Sequence, residues 1–247
     1  MIETIKNSLG ERIDYTFGEG AHRSERSEWI VLLGHGVTGD KDRPIVIDTA
    51  DALNAAGFDT LRFSFSGNGD SEGRFVDSTV SKEVGDLGAV LDAVSNGYSK
   101  ICYIGHSMGA AVGVIRAAGD SRINALVSLA GMIDTNTFAQ TEFGEEISDS
   151  GLMWEEESCP LSSAFMKDLC ETVGSVEPLV EAIEIPWLSV HGLADDVVDP
   201  IDSKSVKRIK GDRVDVVYID GADHSFGEPE HKRALLDAVV PWLSDHS

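Results

Sequence analysis

Basic residues are scarce in this chain: 20 lysines and arginines stand against 43 aspartates and glutamates, for a formal net charge of -23 at pH 7. A surface of that sign repels phosphate backbones and anionic lipid headgroups, so neither nucleic acid nor a membrane is expected as a partner. Long apolar runs are missing as well. No stretch has enough consecutive apolar residues to span a bilayer, and the opening "MIETIKNSLGERIDYTFGEG" has no basic segment leading into an apolar one, so a cytoplasmic location is expected. Cysteine is rare: Cys102, Cys159 and Cys170 are too few and too scattered for a disulfide framework or a zinc cluster, which leaves reduced thiols as the expectation. Nothing rich in proline, glycine and serine, of low complexity or repeated divides the 247 residues. One domain over 1–247 is therefore expected, and a hydrophobic content of 42% suffices for a substantial core.

What is present is alternation. Short apolar runs read as strands buried on both faces: Arg12 to Phe17, Trp29 to Leu33, Thr60 to Phe65, Lys100 to Ile104, Ala125 to Leu129, Trp187 to Val190 and Asp215 to Ile219. Helical patterns fall between most of them, at Ile45 to Ala56, Val80 to Ser95, Met108 to Ala118, Ile201 to Ile209 and Pro229 to Leu243. Pro44 suits the first turn of the first helix, and Gly57 stands where a C-terminal cap belongs. This order predicts an α/β fold with a doubly wound, mostly parallel sheet. In such sheets functional groups gather at the carboxyl ends of strands. Four polar loops fall there: His35-Gly36, Ser107, Asp195-Asp196 and His224.

Two serines occupy a Gly-x-Ser-x-Gly pattern, Ser107 in "GHSMG" and Ser71 in "GDSEG". A serine activated by a nucleophile elbow needs a strand that runs into the turn and a helix that leaves it at once. "KICYI" leads into Ser107 and the small residues of "AAVGVIRAA" follow it, whereas Ser71 has neither neighbour. Ser107 is the candidate nucleophile and Ser71 a loop residue. The glycines of "GNGDSEG" do not make a dinucleotide loop, since the third falls one position late and no helix opens there. No Gly-Lys-Ser/Thr occurs, so a phosphate loop is excluded too.

A serine hydroxyl is a weak nucleophile until a histidine takes its proton and a carboxylate orients that histidine. Partners in this architecture follow in the order serine, acid, histidine. Of seven histidines only His224 lies in a loop after the last strand; His22 falls in an early polar loop, His35 and His106 adjoin other turns, His191 ends a strand, and His231 and His246 belong to the final helix. The acid is Asp195 or, as its rival, Asp196; Asp199 before Pro200 reads as a helix cap. A developing oxyanion needs two backbone N–H donors, and Met108 and Val37 are placed to supply them. No cofactor and no metal is implied.

"HGVTGD", "GDSEG", "GHSMG", "HGLADDVV" and "GADHSF", in that order, resemble the motifs of the α/β-hydrolases over nearly the whole length, and of a bacterial esterase group that includes cinnamoyl and feruloyl esterases. The resemblance implies Ser107, Asp195 and His224 as a triad, Val37 and Met108 as oxyanion donors, and a structural role for "GDSEG". Where such esterases often read Asp-x-Arg-Gly-His-Gly, this chain has Ser64-Phe-Ser-Gly-Asn-Gly69. The expected substrate is a small carboxylic ester. Peptidase-like, thioesterase, C–C bond hydrolase and cofactor-free haloperoxidase activities stand as alternatives on the same triad, and a non-catalytic ligand receptor as one from another class.

The stretch from about 133 to 184 is much longer than an ordinary connection and reads as a cap insertion over Ser107. Between Phe138 and Glu184 it carries 12 acidic residues against the single base Lys167. Phe138, Phe143 and Trp154 are expected to line a substrate pocket in it. So many carboxylates at the entrance are expected to disfavour anionic substrates. Oligomeric state leaves no trace in the sequence.

Overall fold

The structure, a computed structural model, describes residues 2–21 and 28–247. His22 lies outside them. Seven strands form one sheet: β1 (Tyr15–Gly18), β2 (Trp29–Gly34), β3 (Asp59–Phe63), β4 (Lys100–His106), β5 (Ile123–Leu129), β6 (Trp187–Gly192) and β7 (Asp215–Ile219). Their order is β1-β3-β2-β4-β5-β6-β7. β1 runs antiparallel to β3 and every other pairing is parallel. The doubly wound, mostly parallel sheet expected from the sequence is the architecture observed.

Two helical layers explain why the central strands are apolar at every position. α1 (Pro44–Ala55) and α8 (Pro229–Asp245) cover one face, where Val46, Leu53, Leu235 and Val239 meet Val31, Leu33, Ile104 and Val127. α2 (Val80–Val94), α3 (Met108–Ala117) and α7 (Ile201–Lys210) contribute to the core on the other face, where Leu87, Val112 and Val206 join Ile30, Leu32, Tyr103 and Leu126. Successive strand residues thus enter opposite cores, as the twofold strand period requires. The edge strands β1 and β7 are only half-buried, since each packs against fewer elements.

Local signals set the ends. Gly57, at φ +96°, donates to Asn54 O while Phe58 donates to Leu53 O, both at 3.0 Å, the paired bonds that close a helix on a left-handed glycine. β3 stops two residues short of the expected Phe65 because the Phe65 N–H is taken by a side chain, His35 Nε2, at 3.0 Å. The first strand begins at Tyr15 rather than Arg12; Arg12 makes only an isolated bridge to Lys6.

Between β5 and β6 the chain builds α4 (Thr135–Phe143), a single turn at Met153–Glu155, α5 (Ser163–Lys167) continued by a wider turn at Asp168–Val173, and α6 (Glu177–Val180). Asp168 anchors this segment: its buried carboxylate accepts from Ser81 N at 3.0 Å and from Ser81 Oγ at 2.6 Å, at the start of α2. No helix among the described residues is long and apolar enough to cross a membrane.

The topology dictates where a site can form. From β2 the chain winds outward to β3 on one side, then returns to place β4 on the other side of β2. The loops leaving β2 and β4 therefore part in opposite directions and leave a crevice at their carboxyl ends, where Gly34 pairs with Gly105.

Candidate active site

Ser107 stands at that crevice, between the last residue of β4 and the first of α3, with φ 55° and ψ -121°. A residue with a Cβ held there carries about 1–3 kcal/mol of backbone strain. Its neighbours make the turn possible: a Cβ on Gly105 would lie 2.3 Å from Gly109 O, and one on Gly109 2.5 Å from His35 O, so helix, strand and the β2 loop meet backbone to backbone. Ser107 N donates to Leu129 O at 2.9 Å and Ser107 O accepts from Met132 N at 3.2 Å, which fixes the turn to the end of β5.

Ser71 is used differently. Its hydroxyl donates to Ser64 O at 2.7 Å and accepts from Asp14 N at 2.8 Å, tying the loop after β3 to the chain before β1. Ser71→Ala is expected to cost about 1–3 kcal/mol, because a backbone N–H and a carbonyl both lose their partner. Thermal unfolding should register that loss while the catalytic rate stays within about threefold.

His224 and Asp195 come together from the loops after β7 and β6. His224 Nδ1 lies 2.8 Å from Asp195 Oδ2, and Asp195 Oδ1 accepts from Val197 N at 3.0 Å and Val198 N at 2.9 Å. His191 Nε2, at the end of β6, adds a further contact to Oδ2 at 3.3 Å while bonding to Val198 O at 2.9 Å. Burial alone would raise the Asp195 pKa, but the bonds from His191 and His224, with the charge of His224 and the Val198 amide, outweigh it and hold the carboxyl well below the usual carboxylate range. An ionised Asp195 can only accept, so the His224 Nδ1 carries the proton and Nε2 keeps its lone pair. Asp196 is exposed, and Asp199 accepts from Ile201 N at 2.8 Å, just before α7. Of the two rival acids, Asp195 is the one within hydrogen-bond distance of His224.

His106, adjacent to Ser107, holds His224 from the other side: its Nε2 donates to His224 O at 3.0 Å and the two rings lie 4.8 Å apart. Burial first, and the neighbouring His224 second, push its pKa down to about 3. A neutral His106 sets no positive charge beside the His224 imidazole. No sequence pattern marks the contacts of His106 and His191, because one depends on a loop more than a hundred residues away and the other on a bend after a strand.

The β2 loop closes the site. Gly36 lies so near the serine that a Cβ there would sit 2.7 Å from Ser107 Cβ. Val37 follows, its N–H without an acceptor among the described residues, and Thr38 turns the chain at φ 56°. Met108 begins α3, so its N–H has no partner within the helix, and its side chain is buried. His35 supports the loop from below: Nε2 accepts from Phe65 N, so the proton is on Nδ1, which donates to Gly36 O at 2.8 Å. Burial, only partly offset by that carbonyl, pushes the His35 pKa down to about 4. An unfolded histidine titrates near 6.5, so the unfolded chain binds the proton first and His35 contributes stability above that pH that is lost as pH falls from about 6.5 toward 4. Between pH 7 and 5, urea unfolding should show wild type losing about 2 kcal/mol more than His35→Gln, at ~1.36 kcal/mol per pH unit.

Ser107 and His224 open into one cavity of about 690 Å³ whose wall also includes Val37, Ile45, Phe226 and Trp154. Of the three aromatic residues expected in the pocket, Trp154 reaches it. Phe138 and Phe143 do not: they are buried on the inner face of α4, 6% and 1% exposed, with ring centroids 5.8 Å apart. Phe143 instead supports Trp154 from behind at 4.9 Å, and Trp154 Nε1 donates to Glu142 Oε2 at 2.8 Å. The wall from α1 and the start of α8, including Arg43 and Lys232, carried no motif that sequence reading could find.

A strained serine behind a parallel strand, with an acid and a histidine at later strand ends of a mostly parallel seven-stranded sheet, is the arrangement of the α/β-hydrolase fold, and the chain has that fold. Residues 25–147 match the family described as serine aminopeptidase, S33, a span that holds Val37 and Ser107 and ends before Asp195 and His224. No curated protein matches the sequence. Among solved structures, Est1E from Butyrivibrio proteoclasticus with ferulic acid bound is similar at a TM-score of 0.85 and 23% identity, over 99% of this chain and 98% of that one. The Pyrococcus furiosus esterase Pf2001 is similar at a TM-score of 0.77 and 20% identity, covering 98% and 91%. A monoacylglycerol lipase from Paleococcus ferrophilus reaches a TM-score of 0.76 at 20% identity, covering 95% and 99%. At these identities the likeness is one of fold.

Proposed function

We propose that this protein is a serine hydrolase of small carboxylic esters that works through an acyl-enzyme. One observation carries the reading: the strained Ser107 shares a cavity with His224, whose Nδ1 is bonded to the buried carboxylate of Asp195. Ser107 Oγ attacks the ester carbonyl as His224 Nε2 takes its proton, and Asp195 stabilises the imidazolium. The N–H groups of Val37 and Met108 hold the oxyanion. The imidazolium then protonates the departing alkoxide, and an acyl group remains on Ser107. Water adds to that acyl carbon, its proton passes to His224, and release of the acid returns the proton to Ser107. The segment 133–184 acts as the cap, with Trp154 as its contribution to the pocket.

The peptidase-like alternative meets an obstacle in the cavity wall. An aminopeptidase must hold a substrate ammonium, for which a carboxylate is the natural partner, and among the described residues no aspartate or glutamate lines the cavity. Labelling with a fluorophosphonate probe tests the ester reading: one probe per chain, mapped to the peptide bearing Ser107, is expected. Absence of both labelling and turnover of any nitrophenyl ester, thioester or aminoacyl amide would favour the receptor reading instead.

A further inference from the structure

The cavity wall has the opposite sign from the protein. Against a net charge of -23, its lysine, arginine, aspartate and glutamate side chains among the described residues are two cations, Arg43 just before α1 and Lys232 on α8. Arg43 is exposed to the cavity; its Nη2 donates to Thr38 O at 2.8 Å, and no carboxylate among the described residues lies within 4 Å of it. That bond uses one of five guanidinium N–H donors, so the rest face solvent or a ligand. Lys232 forms an ion pair with Asp48 at 2.5 Å, which meets part of its charge. With 43 acidic side chains in the sequence, an arginine that pairs with no carboxylate among the described residues, in the wall of the cavity that holds Ser107, is not explained by neutralising the surface.

We infer that the substrate is an anionic ester, one that carries a free carboxylate besides the ester bond, with Arg43 as its main partner and Lys232 as the second. This inference rests on the ester-hydrolase reading above and adds the substrate class to it. Val37, Pro44, Ile45 and Phe226 make the cavity otherwise largely apolar, which suits a short hydrocarbon or aryl chain between the two carboxyl functions. The acidic surface does not contradict this. Exposed charges beyond about 8 Å are screened at physiological ionic strength, so the surface slows the approach of an anion, while a guanidinium in contact inside a cavity is screened far less. An arginine–carboxylate pair is also the stronger kind of hydrogen bond, with two parallel N–H donors matched to two oxygens.

The test compares isosteres that differ only in charge. Mono-4-nitrophenyl glutarate against its terminal carboxamide places the charge on the acyl side; 4-acetoxybenzoate against 4-acetoxybenzamide places it on the alcohol side. The quantity read is the carboxylate-to-carboxamide ratio of kcat/KM within each variant, which cancels any general loss from disturbing the β2 loop through Thr38. Wild type is expected to favour the carboxylate about tenfold in at least one pair, and Arg43→Gln to bring that ratio to about one, since a contact ion pair of this kind is commonly worth about a tenfold change. Lys232→Gln should lower it about threefold, and 0.5 M salt should lower it in wild type but not in Arg43→Gln. Hydrolysis of both members with a ratio at or below one would overturn the inference and leave the esterase reading intact. A ratio that survives Arg43→Gln would overturn the role of Arg43. If neither member of either pair is hydrolysed, while other nitrophenyl esters also fail, the fault lies with the esterase reading itself.

Discussion

Ser107→Ala is expected to lower kcat for nitrophenyl ester hydrolysis on the order of a million-fold, because removing the nucleophile also idles the acid and the base that serve it. The fold should survive the change. Ser107 is held by backbone bonds to Leu129 and Met132, which alanine keeps, and its Oγ caps no helix. Thermal unfolding of the alanine variant should therefore stay within about 1 kcal/mol of wild type. Ser107→Gly separates strain from chemistry: φ 55° with ψ -121° costs a residue with a Cβ about 1–3 kcal/mol, while glycine occupies it freely at some cost in unfolded-state entropy. A net gain of about 1 kcal/mol, or about 2–4 °C in Tm, is expected with activity as low as in the alanine variant. Full activity in Ser107→Ala would end the proposed mechanism; an unchanged Tm in Ser107→Gly would show that the turn is not strained.

The sequence showed the elements that have a period and the loops that have a chemical signature. Both arise from short-range physics. Two-sided burial makes β2, β4 and β5 continuous apolar runs, and the start of α3 is fixed by the small residues that must approach β4. Choosing between Ser71 and Ser107 needed only the strand before and the helix after. What could not be read was decided by long-range contact. His191 meets Asp195 because the chain bends back after β6, and His106 meets the carbonyl of His224, 118 positions away. Phe138, Phe143 and Trp154 looked equivalent as apolar residues of one segment; α4 turns the first two into the core, while packing on Phe143 and a bond to Glu142 hold Trp154 at the cavity. Total charge concealed the cationic cavity wall, since a sum over 247 residues says nothing of where two cations stand.

Asp195→Asn should reduce kcat on the order of ten-thousandfold, while Asp196→Asn, at an exposed position, should change it less than about threefold. The loss comes from the tautomer. An asparagine amide facing His224 can donate to Nδ1, which moves the histidine proton to Nε2, the nitrogen that must be free to accept from Ser107. The substitution also removes the acceptor of two amides and of His191 and His224, so the loop of Val197 and Val198 should loosen as well. A pH series distinguishes these effects. The wild-type carboxyl is held below its unfolded value of about 3.9, so its stabilising effect is complete above that pH and fades only as pH falls toward the lower folded value. Stability lost in Asp195→Asn should accordingly shrink below pH 4, and protonation of Asp195 does not set the acid limb of the wild-type rate. An Asp196→Asn variant that lost activity to the same degree would transfer the orienting role to the other carboxylate, despite its exposure.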